Sequence, residues 1–383
     1  MYILSQKDKA FKMKIRHFVD TEVIPVADSL THSGAFPAEL FQRCGEAGFL
    51  DFLYEAPKQQ TDSALYTAIF LEEISRGLAS LGLVFSPQFQ GSTLLAHADE
   101  SLKSVLMPDV LRGKILLAYA VDEEKSGTAM WNLEMTAQRV DDHWILNGKK
   151  CWITNAGVAD GYIVLARTSA ESFKRSLSFF YVKKDDPGLF IDQVIPMTGL
   201  VNSPMGHIEL KNCHIPENRL IGEENAGYSL MKRTYNQGRW GIAAVATGII
   251  QRALELAQGY IKEKKQGERL LSSNQGIFFE AGHIYSMLQV LRSLTYHTAS
   301  LFQLHMPVNA ECAAAKIMAV EYSAKACRIS QCLQGAYGLS RQAEISRLIQ
   351  DALMLEDAGG STNASRMSLG AIVIDGAPEG YMF

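Results

Sequence analysis

The sequence predicts an α+β multidomain protein with an N-terminal helical domain, a central antiparallel β domain and a C-terminal four-helix bundle. Three observations predict it. Apolar residues recur at helical spacing up to about residue 112, short β-rich runs separated by turns follow to about 215, and long helical patterns begin near 225. We expect the domains to span residues 1–112, 113–222 and 223–383.

Helical periodicity accounts for the N-terminal domain. Phe11, Ile15 and Phe18 form one apolar face, and Pro25 marks the region where that first helix ends. A short helix begins near Phe36 and is closed by Gly48, and a further helix runs from about residue 65 to 77.

Turn signals divide the central segment into strands. They are Asp141-Asp142, Asn147-Gly148, Asp186-Pro187-Gly188 and Lys211-Asn212. Asn147-Gly148 lies between two β-rich runs and predicts a tight hairpin. The spacing of the turns favours an antiparallel barrel or sandwich.

Four long patterns make up the C-terminal domain. Helices are expected near 226–265, 275–303, 309–336 and 341–355, with lengths that suit an antiparallel four-helix bundle.

Composition limits the function classes. The formal charge of −4 and the absence of a dominant basic patch argue against a nucleic-acid partner. Six cysteines without metal-ligand spacing indicate buried thiols in a reducing compartment and no metal site. No apolar run reaches the length of a membrane span and no signal-peptide core is present, so a cytoplasmic enzyme without membrane contact is expected.

The stretch Leu146–Ala156 carries the most specific signal. Trp152 and Thr154 lie two residues apart, so a regular strand would place both side chains on one face. An aromatic ring beside a hydroxyl suits the edge of a planar, hydrogen-bonding cofactor. The same pattern also fits a hairpin with one inward and one capping side chain.

This stretch resembles the flavin-contacting strand of acyl-CoA dehydrogenases. Further segments are similar to family patterns, in the same order and spacing: 215–222, 226–231, 243–254 and 335–338. The resemblance covers nearly the whole chain. It implies bound FAD and a homotetramer in which each FAD is shared between subunits.

The segment Tyr119–Thr128 looks like the family's first flavin loop. The resemblance assigns Tyr119, Val121, Asp122 and Thr128 to the flavin ring, with Asp122 where relatives carry Thr. An ionised Asp122 would disfavour the reduced, negatively charged ring, whereas a protonated one would donate to it. An aspartate turned out to solvent remains the alternative.

The resemblance places the adenosine half of FAD near the end of the first bundle helix. Lys264 stands where relatives carry Arg, Gln275 follows, and Gly335 lies near the end of the third bundle helix. Gly267 and Cys332 replace other family contacts, so we expect FAD to be held weakly. The basic residues here also fit a solvated helix end. The cofactor set is completed by Ser361 and Asn363.

The thioester side keeps the family pattern more closely. The resemblance assigns Tyr235, Asn236, Arg239, Gly360 and Thr128 to the acyl thioester. Arg239 opens an otherwise apolar helix. A structural arginine paired with a neighbouring acid is the alternative.

Both family positions for the catalytic base carry glycine. Acyl thioester dehydrogenation needs a base for the α-proton, usually a glutamate. Gly359 occupies the usual position and Gly238 the position that some relatives use instead. Glu356 and Asp357 are substitute candidates, and both also fit an exposed helix end.

Three functions therefore stay open. The first is FAD-dependent dehydrogenation of an acyl thioester on CoA or a carrier protein, with a non-standard or absent base. The second is oxidase or monooxygenase chemistry on the same fold, and the third is a non-catalytic binding protein. The electron acceptor of an enzyme would be an electron-transfer flavoprotein or oxygen.

Overall fold

The N-terminal helices pack around an aromatic core in this computed structural model, which describes residues 3–55 and 63–377. The helices are α1 (Gln6–Phe18), α2 (Ile24–Ser33), α3 (Ala38–Glu46), α4 (Phe52–Glu55), α5 (Ser63–Gly77), α6 (Ala79–Leu95) and α7 (Glu100–Leu111). Within this core Phe85 stacks on Phe89, and Phe70 meets both rings edge to face. The predicted end of the first helix at Pro25 is wrong. A π-helical turn joins α1 directly to α2, and Pro25 occupies the first turn of α2, where its missing N–H costs nothing.

Eight strands form the central sheet. They are β1 (Leu117–Ala120), β2 (Thr136–Val140), β3 (His143–Thr154), β4 (Gly161–Arg167), β5 (Leu177–Lys183), β6 (Leu189–Ile195), β7 (Met205–Pro216) and β8 (Leu220–Ile221). The order β6-β7-β3-β2-β4-β5-β8 is mostly antiparallel, but β1 pairs with β4 in parallel, so the sheet is mixed rather than antiparallel throughout. β2 meets β4 at a single residue pair, which links the two halves of the sheet.

Two of the predicted turns are wrong for a shared reason. β3 runs straight through Asn147-Gly148, and β7 runs straight through Lys211-Asn212. The two sites face each other as one irregularity in the β3–β7 ladder, where the Asn212 N–H donates to Asn147 Oδ1 at 2.8 Å. Gly148 has φ +143°, and a side chain there would lie 2.9 Å from Met135. Glycine therefore serves a bulge and a close approach here.

The C-terminal domain contains the four predicted helices and one more. The four are α8 (Gly227–Glu263), α9 (Gln275–Gln303), α10 (Asn309–Leu333) and α11 (Glu344–Met354), and α12 (Thr362–Ile374) packs against α10. The short strands β9 (Lys265–Gln266) and β10 (Arg269–Leu270) connect α8 to α9. Helical, β and helical segments follow in the predicted order, which confirms the fold class. No helix among the described residues combines the length and apolar character needed to cross a membrane.

Buried ion pairs join the first and third segments of the chain. Glu72 of α5 accepts from Lys12 at 2.6 Å, from Arg292 at 2.8 Å and from the Tyr296 hydroxyl at 2.7 Å. Burial alone would raise the pKa of Glu72, but the two cations outweigh it and lower this pKa to about 2. α5 is therefore fixed between α1 and α9, and α5 and α6 pack on α8 beside the cleft described next.

Candidate functional site

A buried ion pair shapes the loop after β1. Lys150 of β3 is fully buried and donates to the Val121 carbonyl at 2.9 Å and to Glu123 Oε1 at 2.7 Å. Glu123 in turn accepts from the backbone N–H groups of Glu134 and Met135, at 2.6 and 3.1 Å. Sequence reasoning missed this pair, which fixes the backbone on both sides of Asp122.

Asp122 lies in the loop after β1 and acts electrostatically on Tyr119 and on Tyr235 of α8. We call the region between this loop and α8 the cleft. The Asp122 side chain is open to solvent, yet the surrounding protein removes enough hydration to raise the pKa of Asp122 to about 6. Lys150 opposes this rise and Glu123 adds to it. The neighbouring Tyr119 hydroxyl shares a 2.9 Å hydrogen bond with Thr234 Oγ1 on α8. With this pKa, Asp122 is largely ionised at neutral pH and becomes protonated in mildly acidic solution.

Trp152 stands out of the sheet on a left-handed backbone. Its φ is +58°, its side chain is 56% exposed, and its ring meets the His207 ring edge-on at 5.4 Å. A bulge in the ladder between Lys150 and Ile153 accompanies this conformation. Thr154 is half-buried at the end of β3, and Thr128 is exposed in the loop after β1. A large ring held in the open by a strained residue is a feature that often marks a ligand surface.

One face of α8 packs against the loop between α11 and α12. Tyr235, Gly238 and Ile242 share that face because they are three and four residues apart. A Cβ on Gly359 would lie 3.1 Å from the Gly238 carbonyl oxygen and 3.2 Å from Ile242 Cγ1, and one on Gly360 would lie 2.0 Å from the Tyr235 hydroxyl oxygen. The structure thus brings the two glycines of the family's base positions together.

Arg239 lies beneath this contact and is fully buried. Its guanidinium carbon is 4.4 Å from the centroid of the Tyr235 ring, a cation–π arrangement. No ion pair with an acid is found for Arg239 among the described residues, so the alternative of a structural ion pair gains no support; its side-chain nitrogens have no hydrogen bond of full geometry, and Tyr235 is the group on which it acts most directly. Asn236, one turn earlier, donates to Asn309 Oδ1 at 2.5 Å. A buried cation without a hydrogen bond of full geometry is costly, and it suits a site that a polar ligand completes.

Gln90 of α6 closes the other side of Gly238. Its Nε2 donates to the Thr234 carbonyl at 3.0 Å, and a Cβ on Gly238 would meet that nitrogen at 2.8 Å. A polar residue inside an apolar helix is the signal that could have revealed Gln90 in the sequence.

Lys316 of α10 holds the glycine loop in place. Its buried ammonium donates to the carbonyls of Leu355 and Ala358, the latter at 2.6 Å. Burial lowers the pKa of Lys316 to about 7, although Glu356 and Asp357 oppose this. Both of these acids are exposed, and their assignment as substitute bases stays a prediction. Lys316 was also missed, although it too lies in an apolar helix.

The remaining cofactor candidates of this region begin α12. Ser361 caps the helix by accepting from the Ala364 N–H at 3.2 Å, and Asn363 accepts from Arg366 at 2.9 Å. Ser361 follows Gly360 directly, so this helix start lies at the cleft.

The residues assigned to the adenosine half of FAD lie elsewhere. Lys264 ends α8, and helical rise puts it roughly 37 Å from Arg239. Gln275 begins α9, Gly335 follows α10, and all three residues are exposed. Tyr260 stacks on Tyr337 at 6.0 Å, which holds the ends of α8 and α10 together. These residues therefore lie far along α8 from the contact between Gly238 and Gly359.

Three family models match the chain in succession. They describe the N-terminal domain of acyl-CoA dehydrogenase over residues 5–114, the middle domain over 118–213 and the C-terminal domain over 225–374. An acyl-CoA dehydrogenase of Bacillus subtilis (strain 168) is 29% identical over 97% of this chain and 99% of its own length. Benzylmalonyl-CoA dehydrogenase of Aromatoleum aromaticum is 30% identical over 95% of this chain and 97% of its own.

A solved structure agrees with the sequence relatives. The glutaryl-coenzyme A dehydrogenase complex with glutaryl-CoA superimposes with a TM-score of 0.94 at 26% identity, covering 99% of this chain and 98% of the other. The chain belongs to the acyl-CoA dehydrogenase family. The resemblance inferred from the sequence is therefore confirmed, and so, at the level of the family, is the prediction of an oxidoreductase of this type. The individual site residues and the domain boundaries stay predictions.

Proposed function

We propose that this protein is an FAD-dependent oxidoreductase of an acyl thioester, on CoA or a carrier protein, that works without a carboxylate at either family position. The observation that carries this is the meeting of Gly238 and Gly359 beside a fully buried Arg239. The residues that the family resemblance assigns to the thioester are retained, whereas both family positions for the base carry glycine. The relatives named above act on CoA thioesters by their names, which supports this substrate class.

Two features support a flavin ring at this place. The exposed Trp152 ring leaves an apolar surface uncovered, and the preceding residue, Cys151, donates its backbone N–H to the Asp122 carbonyl, so Asp122 lies close to it in the fold. When bound, FAD would supply a hydride acceptor for the β-carbon of the acyl group. The residues that would hold its ring are Tyr119, Val121, Asp122, Thr128, Trp152, Thr154, Ser361 and Asn363. With a pKa of about 6, Asp122 would be largely ionised above neutral pH and would then disfavour the reduced ring.

The far end of FAD would be bound by a second copy of the chain. Lys264, Gln275 and Gly335 lie too far from the cleft to serve it within one subunit. Exposed apolar side chains surround them, among them Phe278 at 70% and Leu339 at 69% exposure. Such a surface is typical of a subunit contact. We therefore propose a homotetramer, built as a dimer of dimers in which paired subunits complete each other's FAD sites.

The thioester would lie along α8. In this arrangement Tyr235, Asn236 and Arg239 would act on it from α8, Gly360 from the glycine loop, and Thr128 from the loop after β1. Arg239 and the surrounding amides would orient the acyl group and its carbonyl. Excluding water there strengthens each of these polar contacts.

The function can be tested on the purified protein. We expect flavin absorption after purification or after reconstitution with FAD. Anaerobic addition of acyl-CoA thioesters of graded chain length should then bleach that absorption for at least one of them. Protein that binds no FAD at any concentration would contradict the proposal and leave the non-catalytic reading.

Empty base positions also favour a second candidate, an oxidase or monooxygenase on this fold. Oxygen-using chemistry that removes no α-proton needs no carboxylate here. Oxygen consumption by the FAD-loaded protein, compared with reduction of an electron-transfer flavoprotein, separates the two candidates. Consumption that yields an oxygenated product rather than an enoyl thioester favours the second.

A further inference from the structure

The hydroxyl group of Tyr235 contacts the glycine loop that contains one of the empty base positions. Its oxygen is so close to Gly360 that a Cβ there would be 2.0 Å away, and Gly360 follows Gly359 in the chain. On α8, Gly238 comes three residues after Tyr235 and therefore lies on the same face of the helix. One proton-carrying oxygen thus lies next to the residue that follows Gly359, on the helix face that carries Gly238.

Charged groups meet Tyr235 from two elements. Arg239 of its own helix stacks on the ring at 4.4 Å, and Asp122 and Tyr119 act on it from β1 and the loop that follows. Burial raises the pKa of Tyr235, Arg239 opposes that rise, and Asp122 adds to it. A neighbouring guanidinium favours the phenolate, so Arg239 would stabilise Tyr235 after it has lost its proton.

We propose that Tyr235 carries the α-proton of the thioester in place of the missing glutamate. This inference rests on the proposed function and names a catalytic residue for it. In this proposal the Tyr235 phenol transfers the proton. Arg239, which is buried beside it, supplies the positive charge that stabilises the phenolate.

In the oxidative direction, the Tyr235 phenolate oxygen forms a bond to the α-proton, and the electron pair of the broken α-C–H bond becomes the new C=C bond. The β-C–H pair would leave as hydride, for which the oxidised FAD of the proposed function would be the two-electron acceptor. The phenol then returns its proton to water. In the reverse direction, the phenol donates to the α-carbon as hydride reaches the β-carbon.

A phenol and a carboxylate predict different pH profiles. An unperturbed tyrosine has a pKa of about 10, and burial raises the value here. At neutral pH the phenolate is a minor species, so oxidation should accelerate about tenfold for each pH unit. Reduction uses the phenol itself and should be flat across neutral pH. The site is therefore better suited to proton donation than to proton removal.

The test measures α-proton exchange separately from oxidation. The probe is the CoA thioester of tert-butylacetic acid, whose β-carbon carries no hydrogen, in deuterated buffer with FAD-loaded protein. Tyr235→Phe should slow exchange by at least ~10²-fold, the usual contribution of a positioned base. The matched control is Tyr285→Phe, which removes the same hydroxyl from a 53% exposed side chain on α9 and should leave exchange unchanged.

A second variant separates loss of the proton carrier from loss of structure. In the double variant Tyr235→Phe with Gly238→Glu, exchange should recover and its pH profile should move into the carboxylate range. Exchange that is unchanged in Tyr235→Phe overturns the inference, as does a double variant that binds FAD but does not recover. Exchange by wild-type protein without oxidation of any thioester would support Tyr235 while contradicting the proposed function.

Discussion

The two ends of α8 differ in how far the rest of the chain encloses them. Around Gly238 the helix is enclosed by α6, the glycine loop and the sheet, and Arg239 is fully buried. Around Lys264 the chain is exposed and bordered by uncovered aromatic rings such as Phe278. The near end carries glycine at both family positions for the base, Gly238 and Gly359. The far end is the region where we propose that a second chain completes the FAD site.

The largest expected effect concerns the near end. Gly238→Glu should raise turnover of an accepted acyl thioester by at least ~10²-fold, because it supplies a positioned base. Gly238 has an ordinary helical backbone, and the nearest obstacle is the flexible end of Gln90 at 2.8 Å. Steady-state kinetics measures the gain, and Gly238→Gln is the control of equal size without a base.

Restoring the other position should help less. Gly359 has φ +68°, a conformation that a glutamate rarely adopts, and its Cβ would press on the Gly238 carbonyl at 3.1 Å. Gly359→Glu should therefore gain less than Gly238→Glu. A wild-type protein that already matches Gly238→Glu would contradict the claim that the base is missing.

The second prediction concerns the far end. Phe278→Glu together with Phe279→Glu places charge on the exposed surface of α9 and should dissociate the assembly. Loss of a central interface residue costs about 2 kcal/mol or more, so FAD affinity should fall roughly 30-fold. Analytical ultracentrifugation and FAD titration measure the two effects. Val105→Glu, at a 68% exposed position on α7, is the control. Full FAD affinity in a monomer would show that the far end is not shared.

The third prediction concerns the loop at the near end. Lys316→Met keeps the aliphatic volume but leaves the carbonyls of Leu355 and Ala358 without their donor. The free energy of unfolding should fall by about 1–3 kcal/mol, with a matching loss of turnover from a looser glycine loop. Denaturant unfolding and kinetics measure this. The oligomeric state, which depends on the far end, should be unaffected, and a change there instead would show that the two ends are coupled.

The smallest expected effect concerns Lys264, which the family resemblance assigns to the adenosine half of FAD. Lys264→Arg restores a bidentate donor, so FAD should bind several-fold more tightly, within the one to two decades that a charge-assisted hydrogen bond provides. Lys265→Arg, the next residue, is the control. If Lys264→Arg does not raise FAD affinity, the interpretation of Lys264 as part of a solvated helix end is favoured.

The order of domains could be predicted because it depends on periodicity, which the sequence displays directly. Turns were harder. Asn147-Gly148 has the composition of a hairpin, but the long ladder of β3 with β7 absorbs it as a bulge opposite Asn212. Local turn preference gave way to pairing between strands distant in sequence.

The candidate site was predictable only where residue type alone identifies a role. The glycines at 238 and 359 follow from the family pattern, but their contact needs the fold. Lys150, Glu123 and Lys316 were missed because lysine and glutamate usually lie at the surface, and only tertiary packing buries them. The helix α12 was missed as well.

The pH dependence of flavin reduction tests the central claim most directly. FAD-loaded wild-type protein is mixed anaerobically with an accepted acyl thioester and the bleaching rate is followed from acidic to alkaline pH. The experiment is repeated with Asp122→Asn, because Asp122 itself titrates near pH 6. Without a carboxylate base, the rate in both proteins should still be rising at about pH 9, below the ordinary tyrosine pKa. A rate that levels off near neutral pH in both would reveal a carboxylate base and contradict the account.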